Sequence, residues 1–135
     1  MSSFRIFDIA GSALSAQSLR LNTVASNLAN ADAVSGTADG AYKARLPMFK
    51  ASADAGSPDA AGVQVLGVVE SEAPADKRYE PGHPLADADG YVYAPNVNVV
   101  EEMVNMISAS RSYQSSVEVM NTAKELASRT LTLGR

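Results

Sequence analysis

Apolar residues recur at alternating four- and three-residue steps along the last part of the chain. The run is Val99, Met103, Met106, Ser110, Tyr113, Val117, Met120, Lys124, Ala127 and Leu131, eight of the ten apolar. An α-helix lines such positions up on one face, in the narrow seam that suits packing against another helix. Asn98 before the run and Glu101 three residues on form a capping box, so the helix is predicted to begin at Asn98. A shorter stripe lies at the other end: Phe7, Ala10, Leu14, Gln17, Leu21, Val24, Leu28 and Ala31, seven of eight apolar. It predicts a helix over residues 4–30, roughly 40 Å long at about 1.5 Å per residue, with Asn30 as a left-handed C-cap. Two seam-bearing helices at opposite ends predict pairing as a coiled coil, with each other or with copies of the chain.

The middle follows other rules. Residues 32–41 read as a loop. Tyr42 to Leu46 alternates apolar and basic, the period of a half-buried strand, which Pro47 confines to a sheet edge or ends. Residues 51–62, low in hydrophobicity, are expected to be mobile. Val63 to Val69 reads as a second strand, interrupted at Gly67. Pro81-Gly82 fits the centre of a type II turn, and Asp89-Gly90 leads into a third strand, Tyr91 to Tyr93, that Pro95 ends. The fold class is mainly α with a small β region. Its expected domains are a helical coiled coil of residues 1–31 and 96–135 and a hairpin-like β domain of residues 32–95.

Val100, Val104, Ile107, Val119 and Leu126 lie off the second seam, as do Ile6, Ile9, Ala13 and Ala16 off the first. At roughly 1.5–3 kcal/mol per large apolar side chain buried, this second set is expected to meet neighbouring subunits. The alternative is a monomer whose β region folds over them. Charge agrees with contacts at the ends: the net −4 divides into +1 for residues 1–31, −5 for 32–95 and 0 for 96–135. An acidic middle and near-neutral ends argue against nucleic acid. The chain holds no cysteine, which excludes disulfides and thiolate metal sites. Asp8, Gly11, Ser12 and Ser15 break up the start, so no cleaved secretory signal is expected, and no stretch approaches a membrane span.

Candidate chemistry is sparse, and no catalytic or cofactor site is predicted. His83, the single histidine, lies near Asp87 and Asp89, but the spacing fits no metal motif and His83 reads as a surface turn residue. Placing Gly90 sixth in a calcium loop puts Leu85 and Asn96 where carboxylates are required, so that reading fails. Glu101 and Glu102 favour the positive end of the helix dipole. Arg111, beside the seam, could meet a neighbour's carboxylate. Ser15, Ser18, Asn22, Ser26 and Asn30 form a polar ladder, either a wet face or a register device between helices.

The segment Leu21-Asn-Thr-Val-Ala-Ser-Asn-Leu-Ala-Asn30 resembles the N-terminal signature of flagellar rod and hook axial proteins. Tyr79 to Asn98, followed by Val99 to Ile107 and Ala109-Ser-Arg-Ser-Tyr113, resembles one rod member of that family. The motif residues are Asn22, Ser26, Asn27 and Asn30, then Pro81, Gly82, His83 and Pro84, then Pro95, Asn96 and Asn98. The chain departs from the family pattern at Asp32 to Ala41, a longer stretch before Tyr42.

The resemblance implies a structural subunit of the proximal rod in the flagellar basal body, made in the cytoplasm and exported unfolded by the flagellar type III system. The terminal helices would form the inner coiled-coil layer of a hollow tube and the β domain would lie outside. The implied assembly interface is Phe7, Leu14, Leu21, Val24, Leu28, Val99, Val100, Met103, Met106, Ile107, Tyr113, Val117, Met120 and Leu131. Partners would be copies of itself, neighbouring rod and basal-body proteins and the export apparatus, with no nucleic acid and no membrane insertion. The alternatives are another axial subunit, or a small hydrolase using His83, Asp87 and Asp89.

Overall fold

The computed structural model describes residues 3–54 and 57–134. The order is α1 (Ser3–Ala29), β1 (Arg45–Asp54), β2 (Ser57–Glu70), β3 (Asp76–Tyr79), β4 (Tyr91–Ala94) and α2 (Val99–Leu133). Strands β1 and β2 form one two-stranded sheet and β3 and β4 another. The protein is mainly α with a small β region.

Both helices form where the periodicity places them. Asn98 caps α2: its Oδ1 accepts the amides of Val100 at 3.1 Å and Glu101 at 3.2 Å, two of the donors a helix start leaves open. The end of α1 differs from expectation. No non-glycine residue among those described has a positive φ, so Asn30 is not a left-handed cap. Its Nδ2 instead donates to the Ser26 carbonyl at 2.8 Å, and the Ala31 amide reaches Leu28 in a tightened last turn.

The strands depart further from the pattern. β1 starts at Arg45; at Ala44 just before it, the amide donates to Asn96 Oδ1 at 2.7 Å while the carbonyl accepts the Ser71 amide at 2.8 Å. β1 then runs through Pro47, which a two-stranded ribbon tolerates because each strand has a free edge. Residues 51–54 and 57–62 are strand, not loop; ladder bonds hold backbone whatever the polarity of the side chains. Residues 55 and 56 of that stretch lie outside the described residues. β3, Asp-Lys-Arg-Tyr, has no alternation to betray it. It pairs antiparallel with β4, Asp76 opposite Ala94 and Tyr79 opposite Tyr91. On the other edge of β4, Tyr93 exchanges amide and carbonyl bonds with Ser35 at 2.8 and 2.9 Å.

The chain divides into two compact units. The first comprises Met1–Leu21, Met48–Gly67 and Ile107–Arg135. In it α1 and α2 run in opposite senses: Ile6 shares one groove with Ala123 and Leu126, and Ala13 shares another with Ser115 and Ser116. The buried side chains are small, namely Ala10, Ala16, Ala109 and Ala123, and a methyl on Gly11 would sit 3.9 Å from Met120 Cε. Ala16, expected on an outward face, is therefore core. The first ribbon joins this unit through Ser12, whose hydroxyl accepts the Val63 amide at 3.0 Å and donates to the Ile9 carbonyl at 2.8 Å.

The second unit comprises Asn22–Pro47 and Val68–Met106. Val92 and Ala94 of β4 are wholly buried, and Val24, Ala31, Ala41 and Ala44 of the same unit are buried as well.

Candidate assembly surface

The two faces of α2 carry different chemistry. Its buried positions are Glu102, Ala109 and Ala123, with Met106, Ser112, Ser116, Met120 and Ala127 half-buried. Within Ile107–Arg135, Ala109, Ser112, Ser116 and Ala123 lie one position before the predicted seam, while Met120 and Ala127 lie on it. Small side chains let two helices approach closely, so the fully buried apolar positions of α2 go to Ala109 and Ala123. Many large apolar residues are left in solvent: Val100 is 71% exposed, Val104 61%, Ile107 61% and Leu131 75%, and Met103, Val119, Leu126 and Leu133 are exposed as well. Such a density of wet apolar side chains along one helix exceeds what single scattered residues explain.

The residues expected at the interface therefore divide. Val99, Val100, Met103, Ile107, Tyr113 and Leu131 are exposed, whereas Phe7, Leu14, Leu21, Leu28, Met106, Val117 and Met120 are half-buried and Val24 is buried. Of the off-seam set, Val100, Val104, Ile107, Val119, Leu126 and Ile6 are exposed, while Ile9 and Ala13 are half-buried. Arg111 is exposed.

The motif residues mostly build the second unit. Asn27 is 1% exposed. Its Nδ2 donates to the Arg45 carbonyl at 2.9 Å and to Glu102 Oε2 at 3.1 Å, and its Oδ1 accepts the Arg45 amide at 2.9 Å and the Tyr42 hydroxyl at 2.9 Å. Ser26 and Tyr42 join hydroxyls at 3.0 Å. Ser15, Ser18 and Asn22 of the ladder are exposed. Pro95 is buried after β4, and Asn96 Nδ2 donates to the Ala73 carbonyl at 2.8 Å, tying that loop to Ala44.

Glu80, Pro81, Gly82 and His83 make a turn closed by the His83 amide on the Glu80 carbonyl at 3.0 Å. Gly82 is not among the glycines with positive φ, so the turn is not type II. Pro81 at the second position suits a type I turn equally well, and that type does not ask for glycine. Pro84 is exposed, in the turn that follows.

His83 Nδ1 accepts the Leu85 amide at 3.0 Å. The Asp87 carboxylate accepts the amides of Tyr91 at 2.9 Å and Asp89 at 3.0 Å, with the Tyr93 hydroxyl at 3.4 Å. The Tyr91 amide foremost holds Asp87 below the usual carboxylate range. These acceptors organise the loop between β3 and β4. What sequence reasoning missed is Tyr42 and Glu102 as partners of Asn27, which stands in neither the apolar stripe nor the polar ladder, so periodicity carried no signal for it. No described helix is long and apolar enough to cross a membrane.

Two long terminal helices with exposed apolar side chains suit a subunit that assembles, and comparison with known families gives the class, the axial structural proteins of the flagellum. The family described as flagella basal body rod protein matches residues 7–36, and the flagellar basal body rod FlgEFG protein C-terminal family matches residues 88–133. The flagellar basal-body rod protein FlgC of Salmonella typhimurium is 57% identical over 135 residues, the whole of both chains. The FlgC of Escherichia coli O6:H1 is 58% identical over the same span, and that of Buchnera aphidicola from Schizaphis graminum is 44% identical over 137 residues, 99% of each chain. The chain belongs to the FlgC family of flagellar basal-body rod proteins. Its function is that of a structural subunit of the rod in the basal body.

Proposed function

We propose that this subunit polymerises through the exposed apolar face of its terminal helices, so that residues 1–31 and 96–135 form the inner coiled-coil layer of the hollow proximal rod and residues 32–95 lie outside it. The observation that carries this reading is the distribution along α2, with Ala109 and Ala123 buried while Val100, Met103, Val104, Ile107, Val119, Leu126 and Leu131 are exposed. Each large side chain removed from water contributes about 1.5–3 kcal/mol, and the isolated chain leaves that gain unrealised. The partners are copies of itself and neighbouring rod and basal-body components.

Transit to that site uses the flagellar type III export system in an unfolded state, as is typical of the family. Isolated helices draw most of their stability from packing, so the terminal helices are frayed in the isolated subunit and complete their ordering on assembly, which keeps subunits exportable and limits polymerisation in the cytosol. Circular dichroism across concentrations tests this coupling; full, cooperative helix in the monomer at micromolar concentration would overturn it.

Electron microscopy of basal bodies from an in-frame deletion strain tests the rod assignment. Rings without a rod, restored by the wild-type chain, are expected. Complete rods in the deletion strain would refute a proximal position.

A further inference from the structure

Asn27 stands in the Ser26-Asn27-Leu28-Ala29-Asn30 run, yet its side chain is buried and unavailable to any neighbour. A side-chain amide has two donor protons and two acceptor lone pairs, and all four are committed here. Its two bonds to Arg45, one in each direction, are the exchange that a neighbouring strand residue would make. Arg45 is the first residue of β1, and Glu102 lies in the first turn of α2. Three segments far apart in sequence thus converge on one short side chain. The nearby buried residues, Thr23 and Val24 of α1 and Ala31 just after it, are small and define no unique register by shape.

We infer that Asn27 makes the end of α1, the base of the first ribbon and the start of α2 order as one cooperative piece. It stands in for the strand that Arg45 lacks at its start, and it supplies a donor to the buried Glu102 carboxylate. Single buried polar residues set register in helix pairs for the same reason: any other alignment leaves them without partners in a medium where that is costly. This device lies within one subunit and does not depend on how subunits meet.

Hydrogen exchange on the purified full-length chain, read over residues 42–46 and 99–106, tests it. Asn27→Asp removes both donors and sets a second carboxylate against Glu102; exchange should rise about tenfold or more in both segments together. Adding Glu102→Gln restores a donor to that contact and should return residues 99–106 to within about threefold of wild type. Asn30→Ala, whose side chain bonds its own helix, should leave both segments at wild-type rates. Loosening of 42–46 alone, no recovery in the double variant, or an equal effect of Asn30→Ala would overturn the inference. If Asn27→Asp unfolds the chain, helix content carries the same comparison: recovery with Glu102→Gln supports the device and failure to recover refutes it.

Discussion

The Ser12 hydroxyl and the Val63 amide meet at 3.0 Å, joining α1 to β2 across 51 positions of sequence. The contact has little slack, because a methyl on Gly62 would lie 2.9 Å from Ser12 Oγ and 3.7 Å from Ser12 Cβ. Ser12→Ala leaves the Val63 amide without its acceptor and should cost about 1 kcal/mol. Gly62→Ala should cost a similar amount when Ser12 is present. The double variant should cost less than the sum, since removing Oγ leaves only the ordinary 3.7 Å contact. Thermal unfolding of the four proteins checks this, and strict additivity would count against a direct clash.

Gly90 and Gly82 should respond in opposite directions to the same substitution. Gly90 has a φ of +85°, and a Cβ there would lie 3.0 Å from the Tyr79 ring and 3.1 Å from Pro81 Cβ. Gly90→Ala should therefore cost more than the about 1–2 kcal/mol of the left-handed conformation alone. Gly82 has open space around its Cβ position and no positive φ. Gly82→Ala should be neutral or stabilising by up to about 1 kcal/mol, by restricting the unfolded chain. Melting temperatures of the two variants decide the matter.

Asp87 supplies a pH dependence whose sign is set by its hydrogen bonds. The Tyr91 amide, the Asp89 amide, the Tyr93 hydroxyl and the positive charge of Lys77 all favour the carboxylate. A folded pKa below the unfolded one means the stabilisation is present above the unfolded value, near 4, and is lost as pH falls through the lower folded value. Wild type and Asp87→Asn should thus differ in stability at pH 7 and converge in strong acid. Melting curves from pH 7 to 3, with the Asp87 carboxyl titration followed by NMR, check both parts.

The helices and their cap were legible because 3.6-residue periodicity and Asn98 are local signals. β4 was legible for the same reason, through Gly90 before it and Pro95 after it. β3 was not, since Asp76 to Tyr79 is exposed throughout and carries no alternation. The extra length of β1 and β2 was hidden because small residues such as Ser52 and Ala53 carry no alternation, while backbone bonding does not require one. The fully buried positions of α2, Ala109 and Ala123, lie one residue off the apolar stripe because burial there goes to the smallest side chains. An apolarity count rewards Val99 and Met103 over Ala109, and the geometry of close helices does the reverse.

That reversal gives the sharpest test of the assembly surface. Ala109 is 0% exposed, so Ala109→Leu should overpack the helix contact and destabilise the subunit itself by about 1–3 kcal/mol. Val104 faces solvent, and Val104→Asp should change subunit stability by no more than about 0.5 kcal/mol. If the outward face of α2 mediates assembly, Val104→Asp subunits are nonetheless exported and fail to restore rods or swimming in a deletion strain. Met106 is half-buried, so Met106→Asp, also expected to block incorporation without blocking export, would mix the two effects and is the weaker probe. Normal swimming with Val104→Asp would exclude that position from the interface, while a folding defect in the purified variant would mean that the side chain is packed within the subunit after all.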